Sequence, residues 1–154
     1  MTGRSLITNG NGRGKFLARI LIIDDNPDVL SAVDRVLTAE GHTVTDAPGS
    51  AEGIRLHREH PFDLILTDIL MPGKEGISTI IDLRKEYPNL KIIAMSGGGE
   101  FEPFGVLDIA RRVGADRTIP KPFSRGELID AVNGVLASAG SEFGSASAGD
   151  AGNG

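Results

Sequence analysis

The chain has no cysteine and no tryptophan, and only 5% of its residues are aromatic. The absence of cysteine excludes a disulfide scaffold, thiolate zinc sites and a cysteine nucleophile. No apolar run approaches the roughly 20 residues that a membrane-spanning helix requires, and residues 1–17 lack the apolar stretch of a signal peptide. An excess of positive charge is also absent, since the formal net charge is −5, which disfavours binding to nucleic acid. We therefore expect a cytoplasmic protein that binds neither a membrane nor nucleic acid.

Glycine, by contrast, is abundant, and its distribution predicts where the folded domain begins and ends. Nine of the 21 glycines lie in residues 1–14 and 140–154. Segments of Gly, Ser, Asn and Ala bury too little apolar surface to offset the entropy that ordering costs. We predict a disordered segment over 1–16, one domain over 17–138 and a disordered tail over 139–154, which is either native or a cloning remnant.

Apolar runs of strand type alternate with amphipathic helical stretches along the domain. The run Ile20–Ile23 is apolar on both faces, as expected for a strand covered on both sides, and Pro27 then opens a stretch with helical spacing. Five strands alternating with five helices predict an α/β fold with a parallel sheet and helices on both faces. The predicted strands are 19–23, 43–46, 63–68, 91–95 and 117–119, and the predicted helices are 27–40, 50–59, 77–86, 104–113 and one that Ser124 caps.

Residues that can do chemistry collect at the ends of the predicted strands. In chain order, these residues are Asp24, Asp25, Asp68, Ser96 and Lys121. Open α/β sheets bind ligands beyond the carboxyl ends of their strands, so this edge is the candidate site. Like charges about 4 Å apart repel by roughly 4 kcal/mol at an effective dielectric constant of 20. A set of oxygen ligands without histidine or cysteine suits a hard cation such as Mg²⁺, which would remove that repulsion.

Four motifs, in order and spacing, resemble the receiver domain of two-component response regulators. They are Asp24-Asp25, Thr67-Asp68 before Met71-Pro72-Gly73, Ser96-Gly97 and Lys121-Pro122-Phe123. The resemblance covers roughly residues 17–138. It implies a doubly wound, flavodoxin-like sheet of five parallel strands in the order 2-1-3-4-5, with five helices. It also implies a phosphoacceptor signalling protein that is no enzyme beyond catalysing its own phosphorylation and dephosphorylation.

The resemblance implies a role for each residue of the site. Asp68 accepts the phosphoryl group as an acyl phosphate, Lys121 pairs with the phosphoryl oxygens, and the Ser96 hydroxyl donates to one of them. Mg²⁺ and the ammonium together supply the charge neutralisation that phosphoryl transfer needs. The implied Mg²⁺ ligands are Asp24 through water, Asp25, Asp68 and the backbone carbonyl of Leu70.

The chain departs from the family pattern at the switch positions. The family usually has an aromatic residue three positions before the lysine, where this chain has Thr118, and a small side chain cannot swing as a ring does. Three successive glycines, Gly97–Gly99, follow the fourth strand and permit large backbone excursions. Either movement of this loop replaces the movement of the ring and is coupled to Ser96, or the loop is merely a connector. We also expect a cis peptide bond between Lys121 and Pro122.

The implied partners are a sensor histidine kinase or histidine phosphotransfer protein and a downstream protein target. The chain itself is expected to be a monomer or a weak, phosphorylation-dependent dimer. Two interpretations stay open: a stand-alone receiver, or the N-terminal receiver of a larger regulator whose DNA-binding or enzymatic output domain is absent from the sequence. A receiver that no longer accepts phosphate is a weaker third alternative, because the acidic set is intact.

Three histidines complete the inventory of candidate ligands. His42, His57 and His60 lie at predicted helix ends or on polar faces. Metal binding would need further ligands nearby, so we predict surface histidines without a metal.

Overall fold

A computed structural model describes residues 5–8, 14–69, 76–97 and 105–138, and from residue 19 onward strands and helices alternate as predicted. Within these residues, each helix is too short or too polar to span a bilayer. The strands are β1 (Ser5–Thr8), β2 (Gly14–Leu17), β3 (Arg19–Ile23), β4 (Thr43–Ala47), β5 (Leu64–Asp68), β6 (Lys91–Ser96) and β7 (Arg117–Pro120). The helices are α1 (Pro27–Ala39), α2 (Ser50–Glu59), α3 (Gly76–Glu86), α4 (Val106–Val113) and α5 (125–138).

The strands β3 to β7 form one parallel sheet in the spatial order β4-β3-β5-β6-β7. Counted from β3 as the first strand of this sheet, the order is 2-1-3-4-5, which confirms the predicted fold. The chain moves from β3 to one side and then crosses back to β5 on the other side. The carboxyl ends of β3 and β5 therefore flank the point where strand order reverses, which is where such sheets bind ligands.

The ends of α1 and α5 follow from local side-chain chemistry. The Asn26 side chain accepts a hydrogen bond from the Asp28 backbone N–H at 2.9 Å, which caps the start of α1. At α5, Ser124 and Glu127 form a reciprocal capping box, in which each side chain accepts from the other residue's N–H, at 3.0 and 2.8 Å. Gly41 follows α1 with a φ of +101°, a conformation that favours glycine.

The core consists of two apolar layers, one on each face of the sheet. Successive residues of β3 point to opposite faces, so Ile20 and Ile22 pack with α1 and α5, whereas Leu21 and Ile23 pack with α2, α3 and α4. All four side chains are completely buried. Burying a side chain of this size contributes about 1.5–3 kcal/mol, so this packing holds the carboxyl end of β3 in a fixed position.

The antiparallel β1–β2 pair differs from the predicted disorder of residues 1–16. Its apolar residues explain the difference, because Leu6 and Phe16 lie opposite each other between the glycine-rich stretches and Phe16 packs against the core. Composition averaged over the segment hides these few residues. The predicted disordered tail over 139–154 lies outside the described residues.

The prediction that His42 and His57 are surface residues is wrong. Both side chains are buried, and each Nδ1 accepts a hydrogen bond from a backbone N–H, from Ala18 to His42 and from Phe62 to His57, both at 3.1 Å. Burial lowers the pKa of His57. Each imidazole thus satisfies a backbone donor just before a central strand, β3 or β5. His60 is exposed, as expected.

Candidate functional site

Three carboxylates meet at the carboxyl end of the sheet. Asp24 and Asp25 follow β3 directly, and Asp68 is the last residue of the neighbouring strand β5. One oxygen of each carboxylate lies within 4.8 Å of the other two. Asp24 is fully buried and Asp68 is 4% exposed, whereas Asp25 faces solvent. The cluster therefore presents two buried carboxylates and one that is open to ligands from outside.

Lys121 follows the edge strand β7, which is two positions from β5 in the sheet, and its ammonium group reaches this cluster. Its Nζ lies 2.7 Å from Oδ2 of Asp24 and 3.5 Å from Oδ2 of Asp68. The Lys121 backbone N–H donates to the carbonyl of Ser96 at 2.7 Å, and the peptide bond to Pro122 is cis, as expected. One ammonium beside three carboxylates leaves a formal local charge of −2.

Backbone donors and a close helix start hold the two buried aspartates. The N–H of Asn26 donates to Oδ1 of Asp24 at 2.9 Å, which leaves Oδ2 for the lysine. Behind Asp68, α3 begins so close to the chain that a Cβ on Gly76 would lie 2.6 Å from the Asp68 carbonyl oxygen and 2.1 Å from Cα of Ile69. Only glycine fits at such a contact, so the position of Asp68 depends on Gly76.

The remaining predicted residues lie on the same edge or outside the described part of the chain. Ser96 ends β6 and is fully buried, and Gly97 after it leaves room for the Lys121 side chain, whose Cδ would be 3.1 Å from a Cβ there. Thr118 is half-buried in β7, paired with β6 and three residues from the lysine. Leu70 and residues 98–104 are outside the described residues, so the structure does not describe the carbonyl ligand or most of the glycine loop.

The carboxylates and the ammonium line an open cleft of about 740 Å³. Besides the charged groups, one wall is apolar and comes from α1 and from the residues after Lys121. The sequence pattern does not distinguish this wall from the core, because its helical residues have the same spacing as core residues. The lining residues outside the predicted set are Asn26, Asp28, Val29, Ala32, Val33, Gly97, Pro122 and Phe123.

The donor set of the cleft fits a divalent cation. Hard oxygen donors on an exposed carboxylate, beside two buried ones, match the preference of Mg²⁺ for a few carboxylates and retained waters. The charge of +2 on such a cation would also balance the formal charge of −2 that the three carboxylates and the ammonium carry together. The three carboxylates are therefore the residues of the described chain that could hold the metal.

The chain matches the family model described as the response regulator receiver domain over residues 20–133, and it belongs to this family. Among curated relatives, the transcriptional regulatory protein CpxR of Klebsiella pneumoniae is 31% identical over 118 residues, which cover 77% of this chain and 49% of the relative. The chain thus spans about half the length of that regulator. The family comprises receiver domains of two-component systems, for which phosphorylation and Mg²⁺ binding are typical.

Solved structures of receiver domains have the same fold. A CheY-like receiver domain protein from Methanospirillum hungatei is 29% identical, with a TM-score of 0.75, and the match covers 82% of this chain and 98% of that chain. NtrX from Brucella abortus, crystallised with ADP, has a TM-score of 0.78 at 26% identity, and the match covers 84% of this chain but 29% of NtrX. The receiver fold thus accounts for nearly the whole chain of the Methanospirillum hungatei protein and for less than a third of NtrX.

Proposed function

We propose that this receiver is a phosphoacceptor switch in which Asp68 takes a phosphoryl group from a phosphohistidine of a sensor kinase or phosphotransfer protein. The observation that carries the proposal is the position of the Lys121 ammonium, 3.5 Å from Asp68 and 2.7 Å from Asp24. If Lys121 only paired with Asp24, it would not need a second carboxylate beside it. Yet Asp68, which is 4% exposed, lies near its ammonium at the floor of an open cleft.

Asp68 acts as the nucleophile in this proposal. One of its carboxylate oxygens bonds to phosphorus as the bond from phosphorus to the donor nitrogen breaks, which gives an acyl phosphate. The strand β5 and the contact with Gly76 hold the backbone of Asp68 in place. Such positioning matters because phosphoryl transfer depends on alignment and charge neutralisation more than on covalent help.

The other charged residues neutralise the group that arrives. Asp25 and Asp68 would bind Mg²⁺ directly, Asp24 through water, and the Leu70 carbonyl would add one oxygen. When bound, the ion would offset the charge on the phosphoryl oxygens. Lys121, already held by Asp24 and by the carbonyl of Ser96, would contact a phosphoryl oxygen with its ammonium.

The proposed output is a rearrangement that begins at Ser96. Its hydroxyl would donate to a phosphoryl oxygen and draw the following loop inward, since added phosphoryl oxygens are strong acceptors. The change would pass to the surface formed by α4, β7 and α5. With Thr118 in place of an aromatic ring, we propose that movement of the loop from Gly97 onward, rather than rotation of a side chain, carries the signal.

Two settings for this switch differ in what receives the signal. CpxR is a transcriptional regulatory protein, and the chain spans about half of it, so a receiver that controls an output domain elsewhere in a larger regulator is one setting. A stand-alone cytoplasmic receiver that acts on a separate protein is the other. In neither setting would residues 17–138 themselves contact nucleic acid, because the acidic site and the net charge of the whole chain, −5, disfavour it.

Incubation with acetyl phosphate and Mg²⁺, followed by measurement of the intact mass, tests the proposal. We expect one phosphoryl adduct on the wild type, none on Asp68→Asn and none in excess EDTA. Asp130→Asn, a change at an exposed residue of α5, is the matched control and should keep the adduct. An unmodified wild type in excess Mg²⁺, or an adduct that survives in Asp68→Asn, would refute the assignment.

A further inference from the structure

The Arg84 side chain, in the last turn of α3, joins three segments of the chain. Its Nη1 donates to the carbonyls of Pro88 and Leu90 at 2.8 and 2.6 Å, in the segment between α3 and β6. Its Nη2 donates to the carbonyl of Gly114 at 2.6 Å and to Oδ2 of Asp116 at 3.1 Å, between α4 and β7. These four bonds use every Nη hydrogen of the guanidinium, which holds the planar group in one orientation.

The acceptors of Arg84 attach the carboxyl end of α4 to the rest of the domain. Gly114 is the C-cap of α4, so its carbonyl lies at the negative end of the helix dipole, where a cation is favoured. Oδ2 of Asp116 also accepts from the N–H of Ile92 at 2.9 Å, and the N–H of Asp116 donates to the Ile92 carbonyl at 2.8 Å. One guanidinium and one carboxylate therefore link this end of α4 to α3 and to β6.

The backbone at the end of α4 is shaped to receive the guanidinium. Gly114 has a φ of +133°, and a Cβ there would lie 3.0 Å from Nε of Arg84 and 3.2 Å from its Cβ. A side chain at this position would displace Arg84 as well as strain the backbone. The contact between Arg84 and α4 thus depends on the glycine.

The described residues at the amino end of α4 show no comparable attachment. Gly105 precedes the helix with a φ of +90°, and no described side chain caps the first turn. A Cβ on Gly105 would meet no described atom within 4 Å. Asp108 pairs with Arg112 of the same helix at 3.4 Å, and a contact within one helix does not fix the helix to the sheet. Within the described chain, the two ends of α4 therefore differ in how firmly they are held.

We propose that phosphorylation of Asp68 tilts α4 about its carboxyl end, with the Arg84 guanidinium as the pivot. The inference rests on the proposed function, in which a change that begins at Ser96 reaches the α4 surface. Since α4 connects the carboxyl end of β6 to the amino end of β7, it begins at the edge of the sheet that carries the site and ends at the opposite edge. The change thus arrives at the amino end while Arg84 holds the other end.

A tilt about this pivot differs in geometry from sliding of the whole helix. At 1.5 Å per residue, Asp108 lies about 9 Å from Gly114 along the helix, and Arg112 lies about 3 Å from it. A tilt displaces Asp108 about three times as far as Arg112, whereas sliding displaces both equally. Both residues are exposed and lie on one face of α4, so labels at the two positions report movement in the same direction.

Distances between nitroxide spin labels, measured by double electron–electron resonance, test the tilt. The chain has no cysteine, so Asp108→Cys or Arg112→Cys can each be combined with Arg35→Cys, at an exposed position of α1 on the other face of the sheet. With acetyl phosphate and Mg²⁺, and the adduct verified by intact mass, we expect the distance from position 108 to change about three times as much as that from position 112.

Arg84→Lys shows whether the guanidinium is the pivot. A lysine ammonium is a point charge that cannot span the four acceptors, so the two distance changes should become nearly equal in this variant. The phosphoryl adduct should form as in the wild type, because Arg84 lies at the opposite edge of the sheet from Asp68. Equal changes without the Arg84 substitution, no change in chains that carry the adduct, or an unaltered ratio in Arg84→Lys overturns the proposal.

Amide hydrogen exchange of the unmodified chain gives a second test that does not depend on phosphorylation. The N–H groups of Ile109 and Ala115 donate to the carbonyls of Gly105 and Ala110, both at 2.9 Å, at the two ends of α4. We expect Arg84→Lys to accelerate exchange at Ala115 by about fivefold or more, but at Ile109 by less than about twofold, since only the carboxyl end loses its attachment. Equal acceleration at the two amides would indicate a general loss of stability and would contradict the pivot.

Arg58→Lys is the matched control for both measurements. Arg58 lies on α2 and donates to Glu86 at the surface, so the same substitution there should change neither the exchange at Ala115 nor the ratio of the distances. A wild type that forms no phosphoryl adduct refutes the role proposed for Asp68. The exchange experiment then still decides whether Arg84 holds the carboxyl end of α4 in preference to the amino end.

Discussion

Replacing Asp68 with asparagine is expected to stabilise the folded chain when no divalent metal is present. The wild-type cluster holds three carboxylates but a single ammonium. Asparagine keeps the shape of the side chain and removes one negative charge. Lys121 keeps its 2.7 Å contact with Asp24 in the variant, so the buried Asp24 does not lose its cation.

The distances give the size of the effect. At an effective dielectric constant of about 20, like charges at 4.8 Å, the upper limit for the separation of the carboxylate oxygens, repel by about 3.5 kcal/mol, and opposite charges 3.5 Å apart attract by about 5 kcal/mol. Asp68 has two carboxylate neighbours and one ammonium neighbour, and these three charge interactions sum to a repulsion of about 2 kcal/mol. Asp25 is exposed and partly screened by solvent, which reduces the expected stabilisation to about 1–2 kcal/mol.

Urea unfolding followed by far-ultraviolet circular dichroism measures this difference, and EDTA keeps the metal away. Mg²⁺ should then offset part of the stability difference between Asp68→Asn and the wild type, since a ligand at ten times its Kd stabilises the state that binds it by about 1.4 kcal/mol. The wild type, with one more carboxylate, should gain more than Asp68→Asn. Asp130→Asn serves as the control for loss of a remote charge. If Asp68→Asn is less stable than the wild type in EDTA, the repulsion inferred from the distances is absent.

Three further substitutions test other parts of the structure. Lys121→Met should destabilise the chain by about 3 kcal/mol in urea unfolding without metal, because it leaves the fully buried Asp24 without its cation; a loss below about 1 kcal/mol would contradict this. Desolvation of its carboxyl group by the surrounding chain and the nearby charge of Asp34 raise the pKa of Asp46 from 3.8 to about 6. Stability should therefore fall as the pH rises from 3.8 through 6. Asp46→Asn should flatten this pH profile and add less than about 1 kcal/mol at pH 7.5, because Asp46 is solvent-exposed and solvent screens its charge. Gly76→Ala should cost more than about 2 kcal/mol and reduce the yield of the phosphoryl adduct, whereas Gly49→Ala, where a Cβ meets nothing within 4 Å, should do neither.

The elements and the edge that carries the site could be predicted because both depend on local patterns. Apolar runs and helical spacing gave α2 over Ser50–Glu59 with the same bounds as in the structure, and the charged residues stood directly after the strands. The strand order came from the family resemblance, whereas the contact between Lys121 and Asp24, 97 residues apart, was not predicted. A long-range contact of this kind has no local signal in one sequence.

The features that prediction missed are those that depend on tertiary packing. His42 and His57 stand at helix ends, where polar residues are usually exposed, yet each is buried because a backbone N–H at the start of a neighbouring strand needs an acceptor. The β1–β2 pair escaped detection because a few apolar residues lie among many glycines. The apolar wall of the cleft has the same periodicity as the core, so only the packed structure separates one from the other.

The contact between Lys121 and Asp24 has a consequence for how the chain becomes competent during synthesis. Asp24 and Asp68 are made early and lie on adjacent strands, whereas their cation follows β7, the last strand of the sheet. A growing chain that has not yet released β7 would bring two buried carboxylates together without the Lys121 ammonium, which penalises folding. Long-range closure of this kind also slows folding. The ammonium of the site thus arrives only after the last strand, and a product truncated before Lys121 would lack the cation that lies beside Asp24 and Asp68.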